Sequence, residues 1–133
     1  MKAFIVALAF GVTLPVSAFA QDAPPSLKAI EPQAAVGSAW QEWLAVTNPK
    51  GALDGKTKEL IGLAVAAQIP CEYCIYGHTV GAKHAGATDE QIKEAIAVSG
   101  LVRKMSTELN GNQYDLAAFK KQIDAAFASM KTE

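Results

Sequence analysis

Residues 56–86 read KTKELIGLAVAAQIPCEYCIYGHTVGAKHAG, and this stretch decides the fold class of the chain around it. Up to Ile69 the apolar residues cover most of a helical circumference, which predicts a central, buried helix over 56–69. Pro70 ends that helix or joins it tightly to the next. A second helix is expected over 71–85, with Gly86 as its C-terminal stop. At about 100° per residue, Cys71, Cys74 and His78 fall within an arc of about 60°, while Tyr73, Tyr76 and His84 point away. One face therefore carries two thiols and an imidazole in a column.

Working outward, Asp54 is placed to cap the 56–69 helix, after the loop TNPKGALDG at 47–55. Further upstream, 32–46 has helical composition, and Trp40, Trp43 and Leu44 form one stripe suited to a core or a subunit contact. Downstream, Thr88 and Gln91 make a capping-box pattern that launches an amphipathic helix through Ile92, Ala95, Ile96, Ser99 and Val102 or Arg103. A break at 110–115 precedes a last helix, 116–130, carrying Phe119, Ile123 and Phe127. No strand-like alternation of any length, repeat or low-complexity tract interrupts this pattern. The expected fold is all-α, a small bundle of about five helices around a central helix–Pro–helix hairpin.

The first residues carry a different signal. Met1-Lys2 opens an apolar run to Leu14, Pro15 breaks it, and Ala18-Phe19-Ala20 precedes Gln21. A cationic start, a short apolar core and an A-x-A exit are the parts of a secretory signal peptide. The run is shorter than the roughly 20 residues a membrane span needs. The expected organisation is a signal peptide at 1–20, a flexible Pro- and Ala-rich N-terminus at 21–31, and one helical domain at 32–133. Cleavage near Ala20 would leave a periplasmic or secreted protein with no membrane contact. The whole chain has a formal net charge of −1, and Lys2 is the one charged side chain in the leader. So slight a charge, and an acidic one, argues against nucleic acid as the partner.

Two cysteines are too few for a disulfide-rich scaffold. A staple closing a four-residue ring would add only about 2 kcal/mol, against about 4.7 for a 100-residue loop. Covalent haem attachment needs Cys-x-x-Cys-His, and Ile75 stands where that histidine must be. Zinc wants four ligands; Cys71, Cys74 and His78 give three, leaving Glu59, another chain or water for the fourth. No cofactor and no metal are expected. A redox dithiol fits better: i and i+3 neighbours lie about 5–6 Å apart and can close. Cys71 would stand in the first turn, where free N–H groups and the helix dipole favour a thiolate. Glu59 could orient His78 if the two helices pack antiparallel about Pro70; alternatively, it is a solvated first-turn acid.

Glu59, Cys71, Cys74 and His78, at these spacings in a helix–Pro–helix context, resemble the motif of the alkyl hydroperoxidase D-like proteins. These belong to the carboxymuconolactone decarboxylase superfamily of small all-helical proteins. The resemblance runs from about Leu53 to Val98. It implies a thiol-dependent peroxidase acting on hydroperoxides, with Cys74 as the attacking thiolate and Cys71 as the resolving cysteine. Glu59 and His78 would be the proton relay. It also implies a trimer or hexamer, and a dithiol protein as the reductant. The chain departs from the well-known peroxidases at Tyr73, where they carry a histidine. Two alternatives stay open: an exported thiol–disulfide oxidoreductase without peroxide chemistry, and a non-catalytic helical assembly protein with an idle disulfide. Tyr76, Ile75 and Leu63 are suited either to an apolar entry or to core packing; His84, Lys83 and Arg103 read as a solvated face.

Overall fold

From Asp54 onward, helix starts in this protein are set by side-chain caps. The structure, a computed structural model, describes residues 22–130, and six helices account for its regular structure. The expected signal peptide at 1–20 lies outside the described residues. The chain falls into two units, one ending at Gly51 and one starting at Ala52.

The first unit contains α1 (Pro25–Ile30) and α2 (Val36–Thr47). α1 lies in the stretch expected to be flexible and is the sixth helix, beyond the five expected. Pro25 sits at its start, where a missing N–H costs nothing and the fixed φ already suits a helix. In α2, Val36 is buried and Trp40 half-buried, whereas Trp43 and Leu44 stay exposed.

The second unit is built on α3 (Gly55–Gln68), which packs against both α4 (Glu72–His84) and α5 (Asp89–Gly111). Asp54 caps α3 as expected, accepting from Thr57 N at 2.8 Å and from its hydroxyl at 3.1 Å. Leu63 of α3, Ala82 of α4 and Ile92 of α5 meet in the core, with Leu60, Ile75 and Ala87 packed around them. α3 is central but not buried all round, because Ile61 and Val65 remain exposed.

The α4 end is a Schellman motif: Gly86 N donates to Lys83 O and Ala87 N to Ala82 O, at a Gly86 φ of 82°. α5 starts with the expected capping box, Thr88 and Gln91 exchanging bonds of 3.1 and 3.0 Å. It then runs to Gly111, and the chain turns with Gln113 in the left-handed region at φ 52°. α6 (Leu116–Met130) follows, its first turn capped by Asp115. Tyr114 meets Phe119 edge to face, while Ile123 and Phe127 are left exposed.

Candidate functional site

Two residues, Ile69 and Pro70, separate α3 from the start of the cysteine motif. Ile69 N still bonds to Val65 O at 3.2 Å, Pro70 has no N–H to give, and the next donor is Cys71 N, which bonds back to Ala66 O at 3.1 Å. That bond fixes where the new helix begins. Cys71 is the N-cap of α4, extended at φ −89° and ψ 99°, and not the first-turn residue the periodicity suggested. Its Sγ accepts from Cys74 N at 3.2 Å, the bond that a serine or aspartate would make at such a position.

Cys71 and Cys74 are joined in a disulfide, with Cα atoms 5.3 Å apart. Both are half-buried. Beside them Tyr73 and Tyr76 stand out into solvent, 92% and 74% exposed. His78 follows Cys74 by one helical turn. Its Nδ1 lies 2.8 Å from Glu59 Oε2 across the α3–α4 contact, with the two side chains 26% and 28% exposed. A carboxylate only accepts, so Nδ1 carries the hydrogen and Nε2 is left as the basic nitrogen.

The hairpin thus joins the four residues singled out in the sequence as two pairs, the Cys71–Cys74 disulfide and the Glu59–His78 contact. Glu59 is no solvated first-turn acid; it spans the helix contact. What sequence reasoning missed is how the pair fits. A Cβ on Gly62 would lie 2.5 Å from His78 Cε1, and one on Gly81 would lie 2.5 Å from Glu59 Oε2. Each helix therefore carries one member of the pair and, three residues on, a glycine over which the other member lies. The signal was present as Glu59-x-x-Gly62 and His78-x-x-Gly81.

Leu63 is buried in the core and Ile75 packs against it. Tyr76 faces solvent, as does His84. Lys83 pairs with Asp89 at 3.0 Å, and that hydrogen bond and charge hold the Asp89 carboxyl below its ordinary range. An open groove of about 410 Å³ lies between α3 and α5, lined by Leu60, Ile61, Ala64 and Val98 among others. None of the four motif residues lines it.

The profile of the carboxymuconolactone decarboxylase family matches residues 34–114. The chain belongs to that family. An uncharacterised protein of the cox locus in Paracoccus denitrificans is 40% identical over 93 residues, covering 70% of this chain and 82% of the relative. A second uncharacterised relative, from Cupriavidus necator, is 37% identical over 67 residues, 50% of this chain and 59% of its own. Among solved structures, the alkylhydroperoxidase AhpD core from Rhodospirillum rubrum superposes with a TM-score of 0.60 at 33% identity. That match covers 65% of each chain. The protein is thus an AhpD-like, all-α member of the carboxymuconolactone decarboxylase family.

Proposed function

We propose that this AhpD-like protein is an exported thiol-dependent peroxidase that reduces hydroperoxides through a Cys71–Cys74 dithiol/disulfide cycle. One observation carries the reading: a disulfide seated at a helix N-terminus, one turn before an imidazole held by a carboxylate. Glu59 holds the His78 ring with Nε2 basic, and His78 takes the proton from Cys74. The thiolate attacks the O–O bond of the hydroperoxide, giving an alcohol and a Cys74 sulfenic acid once a proton is returned. Cys71 then attacks the Cys74 sulfur, forming the disulfide and releasing water. A partner dithiol reduces it by exchange and is itself oxidised to a disulfide. The assignment of attack to Cys74 rests on the family resemblance and on its place one turn before His78. The working location is the periplasm or the exterior, and the working form is a trimer or hexamer.

The test is stopped-flow tryptophan fluorescence of the reduced protein mixed with hydrogen peroxide, then with an organic hydroperoxide. Rapid oxidation should vanish in Cys74→Ser and stop at sulfenic acid in Cys71→Ser. Oxidation no faster than that of a free thiol would rule the peroxidase out.

A second reading has its own support. Tyr73 and Tyr76 expose two aromatic rings beside the disulfide, and aromatic side chains are the usual anchors of a protein partner. An exported thiol–disulfide oxidoreductase would use the same cysteines on protein thiols. Slow peroxide oxidation with fast exchange against protein dithiols would select it.

A further inference from the structure

Gln68, the last residue of α3, shares three hydrogen bonds with α5. Arg103 Nε donates to Gln68 Oε1 at 2.7 Å, and Arg103 Nη2 donates to the Gln68 backbone carbonyl at 3.0 Å. Gln68 Nε2 in turn donates to Ser99 Oγ at 3.1 Å. Ser99 is only 7% exposed and spends its own hydrogen on Ile96 O at 2.8 Å, so it is left to accept from Gln68. Both ends of the amide are used and the guanidinium is fixed at the end of the helix. The Glu59–His78 pair takes no part in this arrangement.

The place of that cation is what matters. The last carbonyls of a helix carry its partial negative charge, and the first N–H groups carry the partial positive charge. At the α3–α4 corner the two ends meet around one residue. Cys71 caps α4, whose start favours a thiolate, yet its N–H is tied to Ala66 O in the last turn of α3. The α3 end works against a negative sulfur there. Arg103 offsets it at the Gln68 carbonyl, three residues before Cys71, a span of at most about 11 Å between Cα atoms.

We propose that Arg103 is a positioning residue that, through the last turn of α3, poises the Cys71–Cys74 pair toward its reduced form. The inference rests on the pair being redox-active, as the proposed function has it, but not on peroxide being the oxidant. The reaction is exchange with dithiothreitol: the reagent gives two electrons and two protons, the protein S–S bond breaks, and the reagent closes to its cyclic disulfide.

The experiment equilibrates the full chain with dithiothreitol redox buffers at pH 7 and reads the fraction reduced by thiol alkylation. Arg103→Gln, whose amide nitrogen stands about where Nε bonds Gln68 Oε1 but which is neutral, should lower the equilibrium constant for reduction about two- to tenfold at low salt. The difference should fade near 1 M salt, where the screening length is about 3 Å. Arg103→Lys should stay within about twofold of the parent, because the charge is kept. Gln68→Ala, which keeps the backbone carbonyl for Arg103, should also stay close; Arg103→Met, neutral and of similar length, should fall as Arg103→Gln does and serves if that variant does not fold. An unchanged constant in Arg103→Gln overturns the proposal. So does a drop in Arg103→Lys or Gln68→Ala as large as that in Arg103→Gln, or a shift that survives high salt. A parent pair that cycles with dithiothreitol but ignores peroxide overturns the peroxidase reading alone; one that cannot be cycled overturns both.

Discussion

Adding one methyl group at Gly81 would put it against the Glu59 carboxylate, the far end of a side chain free to swing away. The substitution should therefore be mild for stability, since alanine is the better helix former by up to about 1 kcal/mol. It should nevertheless pull Glu59 off His78. If the pair is the proton relay, Gly81→Ala will oxidise about 10²-fold more slowly with peroxide while melting at or above the parent temperature. Stopped-flow traces beside a thermal melt check this, and an unchanged rate would show the pair to be structural. At Gly62 the added carbon meets the imidazole itself, so Gly62→Ala should lose stability as well as rate. The motif residues were legible in the sequence because acid, thiol and imidazole advertise their chemistry. The glycines were not, because a helical glycine does not say what lies over it.

Among the elements, start signals were read well and extents less so. Asp54 and Thr88 cap the helices they were expected to cap. α5 runs on to Gly111, beyond the face traced as far as Arg103, because periodicity reports burial and the later turns bury little. α1 was missed since a helix of six residues leaves no period to read. Thr88→Ala removes half of a capping box and should cost about 1 kcal/mol, measurable by denaturant unfolding. The acid side follows from the caps too. The Thr57 backbone and hydroxyl bonds hold the Asp54 carboxyl below its ordinary range, and Lys83 does so for Asp89. A carboxyl with a depressed folded pKa adds stability above its unfolded value of about 4, and that stability is lost as pH falls through the folded one. Melting temperature should thus drop below about pH 4, and Asp54→Asn should flatten part of that fall.

For the molecule as a whole, the all-α class followed from the absence of alternation, and the hairpin from a single proline between two helical patterns. Assembly is proposed on excess apolar surface and on the family resemblance. Leu101 and Val102 of α5 and Leu116 and Phe127 of α6 are exposed in a single copy, and a partner copy covering them would bury apolar side chains. The protein should therefore sediment as a multiple of its chain mass. Phe127→Glu or Leu101→Glu should shift it toward the monomer, whereas a monomeric parent at micromolar concentration would refute self-association.

The reciprocal fit of Glu59 on Gly81 and His78 on Gly62 has a consequence for descent. All of its parts, and both cysteines, lie within residues 59–81, so the arrangement is encoded in one short run of the chain. A recombination breakpoint before residue 55 or after residue 86 would transmit it whole. A breakpoint at Pro70 would leave the two cysteines together but divide Glu59 from His78 and each of them from its glycine, matching each carboxylate and each imidazole with a stranger's glycine.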